Sequence, residues 1–102
     1  LMTIAIEHSG DTKELRLKII GRLEFSELAE FREAYLGTDP SEFRYIVDMA
    51  ETTFIDSSTM GALLAMHKDL GGESASITLA NCSAQTVKLL GLTNISRLFR
   101  IE

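Results

Sequence analysis

Two consecutive hydroxyl side chains follow a carboxylate at the point where a strand-like segment of this sequence gives way to a helix-like one. The residues are Asp56, Ser57 and Ser58, and the segment 62–70 after them lacks proline and glycine and repeats its apolar residues at helical spacing. This placement predicts that Ser57 lies at or beside the N-cap of a helix, where its oxygen can accept a hydrogen bond from a free backbone N–H. A serine in such a place can act as a switch.

Phosphorylation is the reaction that this placement suits. A phosphate on Ser57 would add about −1.5 to −2 charges at the start of a helix, where the macrodipole and the free N–H groups tolerate an anion. A partner docked on the same helix would instead meet a hydrated dianion beside Asp56, and would lose binding energy through desolvation and repulsion. The hydroxyl is therefore expected to control binding without controlling folding.

The helix after Ser57 carries more apolar residues than one buried face requires. The stripe predicted to pack on a sheet comprises Thr59, Ala62, Leu63, Met66 and Leu70. A second stripe of Met60, Leu64 and His67 lies on another side of the helix. If exposed, this second stripe forms an apolar patch beside the hydroxyl, as a partner-binding site would. If neighbouring elements cover it, it belongs to the core, and the spacing is compatible with both interpretations.

The rest of the chain must supply the elements that position this loop. The predicted elements are strands at 3–7 and 14–20 forming a hairpin, a helix at 26–36, a strand at 45–49, a helix at 57–70, a strand at 76–80, a short helix after 83 and an edge strand at 97–101. Ser26 and Ser83 are the predicted caps of the first and third helices. The order ββαβαβα(β) predicts an α/β fold with a mixed sheet of four to five strands and helices packed on it, since strands separated by helices pair in parallel.

Length and composition restrict the class of protein. The chain has 102 residues, of which 45% are hydrophobic and 25% charged, as expected of one soluble domain spanning 2–102 with no membrane-inserted segment. The net charge of −5 argues against binding to nucleic acid and favours a protein partner. The single Cys82 excludes an internal disulfide and fits a reducing compartment, so a cytoplasmic location is expected.

Three short runs carry a resemblance to a known family. They are residues 21–24 (Gly-Arg-Leu-Glu), residues 45–48 (Tyr-Ile-Val-Asp) and residues 56–58 (Asp-Ser-Ser) followed by Gly61. With them the chain resembles a STAS domain, the fold of bacterial anti-sigma factor antagonists, over essentially its whole length. The resemblance implies that a serine kinase phosphorylates Ser57, that the unmodified form binds an anti-sigma factor or similar regulator, and that a phosphatase restores this form.

One position departs from the family pattern. STAS domains usually have Gly after the two serines, where this chain has Thr59, a bulkier residue with a third hydroxyl that could change the loop. Ser58 is therefore the second candidate for phosphorylation. Glu24 stands where the family often has Asp, and is a candidate contact of the partner or kinase. The expected partner-binding residues are Glu24, Asp56, Ser57, Ser58, Thr59, Met60, Leu64 and His67.

Two other functions are compatible with these residues. A STAS subunit bound permanently within a larger assembly, such as a lipid transport ATPase complex, would use the same helix without a phosphorylation cycle. A small serine hydrolase would need a base near Ser57, yet the two histidines are His8, in the first hairpin, and His67, about three turns along the same helix. The sequence has no glycine-flanked serine, phosphate-binding glycine loop or Cys/His metal pair, so no enzyme activity, cofactor or metal site is expected.

Overall fold

A mixed sheet of five strands is the centre of the fold. The structure is a computed structural model and describes residues 4–9 and 13–102. The strands are β1 (Ile4–Ser9), β2 (Glu14–Ile19), β3 (Arg44–Asp48), β4 (Ser76–Ala80) and β5 (Arg100–Ile101). They lie side by side in chain order, β1 antiparallel to β2 and every later pair parallel. The predicted hairpin, mixed sheet and central third strand are confirmed.

Four α-helices lie in the crossovers of the described chain. They are α1 (Leu28–Tyr35), α2 (Ser57–Asp69), α3 (Ala84–Gly91) and α4 (Ile95–Leu98), with short 3-10 turns at Phe25–Glu27 and Gly72–Ser74. Because successive right-handed crossovers all advance in one direction, the helices collect on one face of the sheet. Within the described residues, no helix combines the length and the apolar composition needed to cross a membrane.

The core lies between the helices and one face of the sheet. Side chains of β2 alternate between partly exposed and buried, as a half-buried strand requires, and β3 and β4 continue this pattern over most of their length. The buried strand residues on this face are Leu15, Leu17, Ile19, Tyr45, Val47, Ile77 and Leu79. They form one cluster with buried helix residues that include Phe31, Tyr35, Leu63 and Met66. On the opposite face, the polar side chains of Arg16, Arg44 and Thr78 are exposed or only partly buried.

Two predicted element starts lie two or three residues before those of the structure. The helix expected from residue 26 begins as the 3-10 turn, and α1 starts at Leu28, so the N-cap position falls on Glu27 and Ser26 does not cap the helix. The edge strand expected over 97–101 contracts to β5, because α4 continues to Leu98. The Thr93 hydroxyl, which accepts the Ile95 N–H at 3.2 Å, favours a turn there. Residue 3 and most of the first predicted turn lie outside the described residues.

The start of α3 and the end of α2 lie where the sequence predicted them. Ser83 caps α3 as predicted, since its hydroxyl accepts the Thr86 N–H at 3.1 Å. Helix α2 ends where the double glycine was expected to close it, and Gly71 adopts a φ of +95°, in the left-handed region that a side chain disfavours. Gly71 thus marks the end of α2, the helix that carries the candidate switch.

Candidate functional site

Ser57 is the first residue of α2, and its side chain is exposed. The helix is capped by Asp56, whose Oδ1 accepts the Thr59 N–H at 3.0 Å. This corrects the prediction that the Ser57 oxygen acts as the cap and confirms that the residue lies beside it. Within the described part of the chain, the Ser57 hydroxyl makes no hydrogen bond. Because Asp56 performs the structural task, the neighbouring hydroxyl is free to react.

Ser83 caps its helix whereas Ser57 does not, so replacing each with alanine should change stability by different amounts. Ser83→Ala removes the cap of α3 and is expected to lower the free energy of unfolding by about 1 kcal/mol. Ser57→Ala removes no cap and places a strong helix former in α2, so it is expected to change this free energy by less than about 0.5 kcal/mol. Urea unfolding of the two variants measures both values. A larger loss for Ser57→Ala than for Ser83→Ala would contradict the capping assignment.

The Asp56 carboxylate also contacts a cation. Arg22 Nε and Nη2 each lie 2.9 Å from Asp56 Oδ2, while Oδ1 faces the Thr59 N–H. The Thr59 N–H lowers the pKa of Asp56 most, and the Arg22 contact lowers it further against partial desolvation. The carboxylate is therefore ionised at neutral pH. Its negative charge is carried by the residue that directly precedes Ser57.

Backbone hydrogen bonds hold the 21–24 run against the loop that leads to Ser57. Gly21 donates its N–H to the Glu51 carbonyl and accepts the Thr53 N–H, both at 2.8 Å. Gly21 has a φ of +72°, which glycine adopts without strain. Two of the runs that resemble the STAS family thus form one surface. Glu24, at the end of the first run, is exposed and precedes the 3-10 turn.

The second stripe of α2 is only partly exposed. Leu64 keeps 44% of its surface in contact with solvent, whereas Met60 is partly buried against the core. The His67 ring stands edge-on to Phe99, with centroids 5.7 Å apart. Its Nε2 is buried and has no hydrogen-bond partner among the described residues. Leu64 is thus the member of this stripe that offers apolar area to a partner.

Thr59 does not belong to the surface that the sequence predicted. Its side chain is 0% exposed, and its Oγ1 lies 3.4 Å from Asp56 Oδ1, beneath the start of α2. The expectation that Thr59 contacts a partner is therefore corrected, while its place in the core-facing stripe is confirmed. Ser58 is partly buried and Ser57 exposed, an order of accessibility that agrees with the preference for Ser57.

Two exposed phenylalanines extend the site beyond the predicted residues. Phe25 in the 3-10 turn is 80% exposed, and Phe54 before the cap is 54% exposed. The Arg22 guanidinium lies over the Phe54 ring, 5.2 Å from its centroid. Phe54 and Leu89 of α3 also border a shallow cavity of about 100 Å³. Both phenylalanines lie outside every helix and strand predicted from the sequence. A large aromatic residue in a loop was the signal that could have identified them.

Asp48, the last residue of the 45–48 run, is buried and binds three hydrogen-bond donors of the protein itself. Its carboxylate is 5% exposed and accepts hydrogen bonds from Arg16 Nη1 at 2.8 Å, Asn81 Nδ2 at 3.0 Å and the Ala50 N–H at 3.0 Å. Desolvation acts to raise the pKa of Asp48, but these three donors outweigh it and the pKa lies below its ordinary value. Asp48 thus joins the end of β3 to the middle of β2 and to the residue that follows β4.

No histidine lies near Ser57 within the described residues. His67 lies ten residues along the same helix, about 15 Å away by helical rise, and its ring contacts Phe99. The side chain of His8 lies outside the described residues. Among the described residues, no three His, Cys, Asp or Glu side chains come together in a group that could hold a metal ion.

Comparisons with known proteins agree with this geometry. The family model described as "Mlab, STAS domain" matches residues 6–100. A STAS-domain containing protein of Pseudomonas aeruginosa (strain UCBPP-PA14) is 41% identical over 101 residues, covering 99% of this chain and 100% of that protein.

Solved structures show the same fold at lower identity. An anti-sigma-factor antagonist (STAS) domain protein from Planctomyces limnophilus has a TM-score of 0.79 at 20% identity, with 97% of this chain and 87% of that chain covered. The Bacillus cell fate determinant SpoIIAA in its phosphorylated form has a TM-score of 0.67 at 16% identity, with 97% and 90% covered. Because the family model matches residues 6–100 of its 102, the chain belongs to the STAS domain family.

Proposed function

We propose that this protein is an anti-sigma factor antagonist, a protein-binding switch controlled by phosphorylation of Ser57. In the unmodified form it binds an anti-sigma factor or a similar regulator, and phosphorylation by a serine kinase releases that partner. A phosphatase then restores the binding form. The observation that carries the proposal is the Ser57 hydroxyl itself, which is exposed, unbonded within the described chain and relieved of the capping role by Asp56.

The surface around the hydroxyl suits a protein partner. Phe54 and Leu64 are about half exposed and lie on either side of Ser57 in the chain, and Phe25 projects from the adjoining loop. Exposed aromatic and aliphatic side chains beside a few charged groups are typical of interface centres. A dianion placed among them would have to be desolvated for the partner to stay bound, and this penalty supplies the release step.

The relatives support this assignment of function. The Planctomyces limnophilus protein is described as an anti-sigma-factor antagonist, and SpoIIAA has been solved in a phosphorylated form. The same cycle carried out here would take place in the cytoplasm, where a single unpaired Cys82 stays reduced. We propose no catalytic role for Ser57, because no histidine lies near it in the described structure and the adjacent Asp56 carboxylate is engaged by the Thr59 N–H and by Arg22.

Mapping the phosphate tests the proposal. The purified chain is incubated with ATP and the serine kinases of its own organism, and the modified peptide is sequenced by mass spectrometry. We expect one phosphate on Ser57, its loss in Ser57→Ala, and its retention in Ser58→Ala. Modification confined to residues outside 57–59 would contradict the proposal. A chain that no kinase modifies but that copurifies with a stable assembly would favour the permanent-subunit alternative.

A further inference from the structure

Arg22 occupies an unusual position between the cap of α2 and an exposed aromatic ring. Two of its nitrogens contact one oxygen of Asp56, and the same guanidinium lies over Phe54, 5.2 Å from the ring centroid. The Arg22 side chain is 53% exposed, whereas the Asp56 side chain is 17% exposed. Arg22 is therefore the more accessible member of the ion pair, and it already lies against the residue that precedes Ser57.

We propose that Arg22 is the receptor of the phosphate on Ser57 and transfers to it from Asp56 when the serine is modified. The transfer would draw the guanidinium away from the Phe54 ring, so that one modification both adds charge and changes the apolar surface. This inference rests on the proposed phosphorylation of Ser57. Arg22 is not among the partner-binding residues that the sequence predicted, and the family resemblance gives it no role in the switch.

The charges favour the transfer. A phosphoserine carries about −1.5 to −2 charges at neutral pH and presents three strong acceptor oxygens, against the single charge of Asp56. The planar guanidinium can bind a phosphate through two parallel N–H···O contacts, whereas here both nitrogens contact one carboxylate oxygen. Bidentate pairing of charged groups is stronger and more directional, so the phosphate is the better partner for Arg22.

The cap of α2 does not depend on Arg22. Asp56 uses Oδ1 for the Thr59 N–H and Oδ2 for the guanidinium, so that losing the second contact leaves the first in place. Asp56 keeps the hydrogen bond from the Thr59 N–H, and 17% of its side-chain surface contacts solvent, so the carboxylate is not left without a partner. Arg22 can therefore leave Asp56 while the first turn of α2 stays capped. A reversible switch requires such independence.

Phosphorus NMR of a chain carrying phosphoserine at position 57 tests the contact without any kinase. The phosphoserine is incorporated during translation of the full chain, and the phosphorus shift is followed from pH 4 to 8. A nearby cation favours the dianion, so the second pKa of the phosphoserine, ordinarily about 6, is expected to rise by about 0.5 to 1 in Arg22→Ala. Arg22→Lys, which keeps the charge without the planar fork, is expected to give an intermediate value.

Arg44→Ala is the matched control. Arg44 is also exposed, at 63% for its side chain, but it lies at the start of β3, the end of the strand remote from the Ser57 loop. This variant should leave the phosphoserine pKa within about 0.2 of the unsubstituted chain. In addition, the ring resonances of Phe54 should move on phosphorylation in the unsubstituted chain and much less in Arg22→Ala.

The outcomes separate this inference from the proposed function. Equal phosphoserine pKa values in the unsubstituted chain and in folded Arg22→Ala would overturn the role of Arg22, whatever the partner does. If the pKa values differ as expected but phosphoserine at position 57 binds the partner as tightly as the unmodified chain, the contact stands and the switch proposal fails. A circular dichroism spectrum of each variant confirms that both comparisons are made on folded protein.

Discussion

Replacing Ser57 with Asp is expected to weaken binding of the partner by about 30- to 1000-fold, whereas Ser57→Ala is expected to leave it within about threefold. A carboxylate at this exposed position would be buried against the partner without a cation to pair it, since Arg22 already pairs with Asp56. Uncompensated burial of this kind costs about 2 to 4 kcal/mol. Isothermal titration with the candidate anti-sigma factor measures both affinities.

The same substitution should leave the fold intact. An acidic residue in the first turn of a helix interacts favourably with the macrodipole, so the melting temperature of Ser57→Asp should not fall below that of the unsubstituted chain by more than about 2 °C. Ser76→Asp supplies the charge control, because Ser76 is exposed at the start of β4, on the open face of the sheet. If both Asp variants bind alike, either the site is elsewhere or the chain is a permanent subunit whose contact ignores residue 57.

Replacing Asp48 with Ala is expected to lower the free energy of unfolding by about 2 to 4 kcal/mol. The carboxylate is 5% exposed, and its removal leaves the Asn81 amide and the Ala50 N–H without their acceptor and Arg16 without its counter-charge. These three hydrogen bonds to a charged acceptor are partly buried, so their loss is only partly offset by water. Glu42→Ala, which breaks the exposed pair with Lys13, should change stability by less than about 0.5 kcal/mol.

The pH dependence of this loss has a definite sign. The pKa of Asp48 in the folded chain is lower than in the unfolded chain, where it is about 3.9. Its stabilising contribution is therefore fully present above about pH 5 and disappears as the pH falls through the folded value. Urea titrations at several pH values should show a constant gap between the unsubstituted chain and Asp48→Ala near neutrality. The gap should close below pH 4, and a gap that widens with acid would contradict this account.

The sheet could be predicted from the sequence because its strands alternate where one face is buried. The strand 76–80 has the predicted limits, and Ser83 caps its helix as its position suggested. The helix caps near Ser26 and Ser57 were harder, since a serine stands next to a carboxylate in both places, Glu27 in the first and Asp56 in the second. Propensities alone do not choose between adjacent Asp and Ser as a cap. The choice depends on which backbone N–H each oxygen reaches.

The surface of the site could be predicted only in part. Ser57 and Leu64 are exposed as the switch hypothesis required, but Thr59 is buried and His67 packs on Phe99. Spacing along α2 predicts which side chains share a face, and it does not predict which faces α4 and the β5 end will cover. The pairing of Arg22 with Asp56 joins residues 34 positions apart. Such a contact depends on how two loops meet.

Because Asp56 rather than Ser57 holds the first turn of α2, the hydroxyl is dispensable to the scaffold. Under the proposed function, a single codon change at this position removes regulation from a lineage, and its reversal restores it, with a folded molecule at every stage. The same property makes the position suitable for engineering: a library randomised at this one site would sample always-bound, never-bound and switchable forms of an unchanged domain.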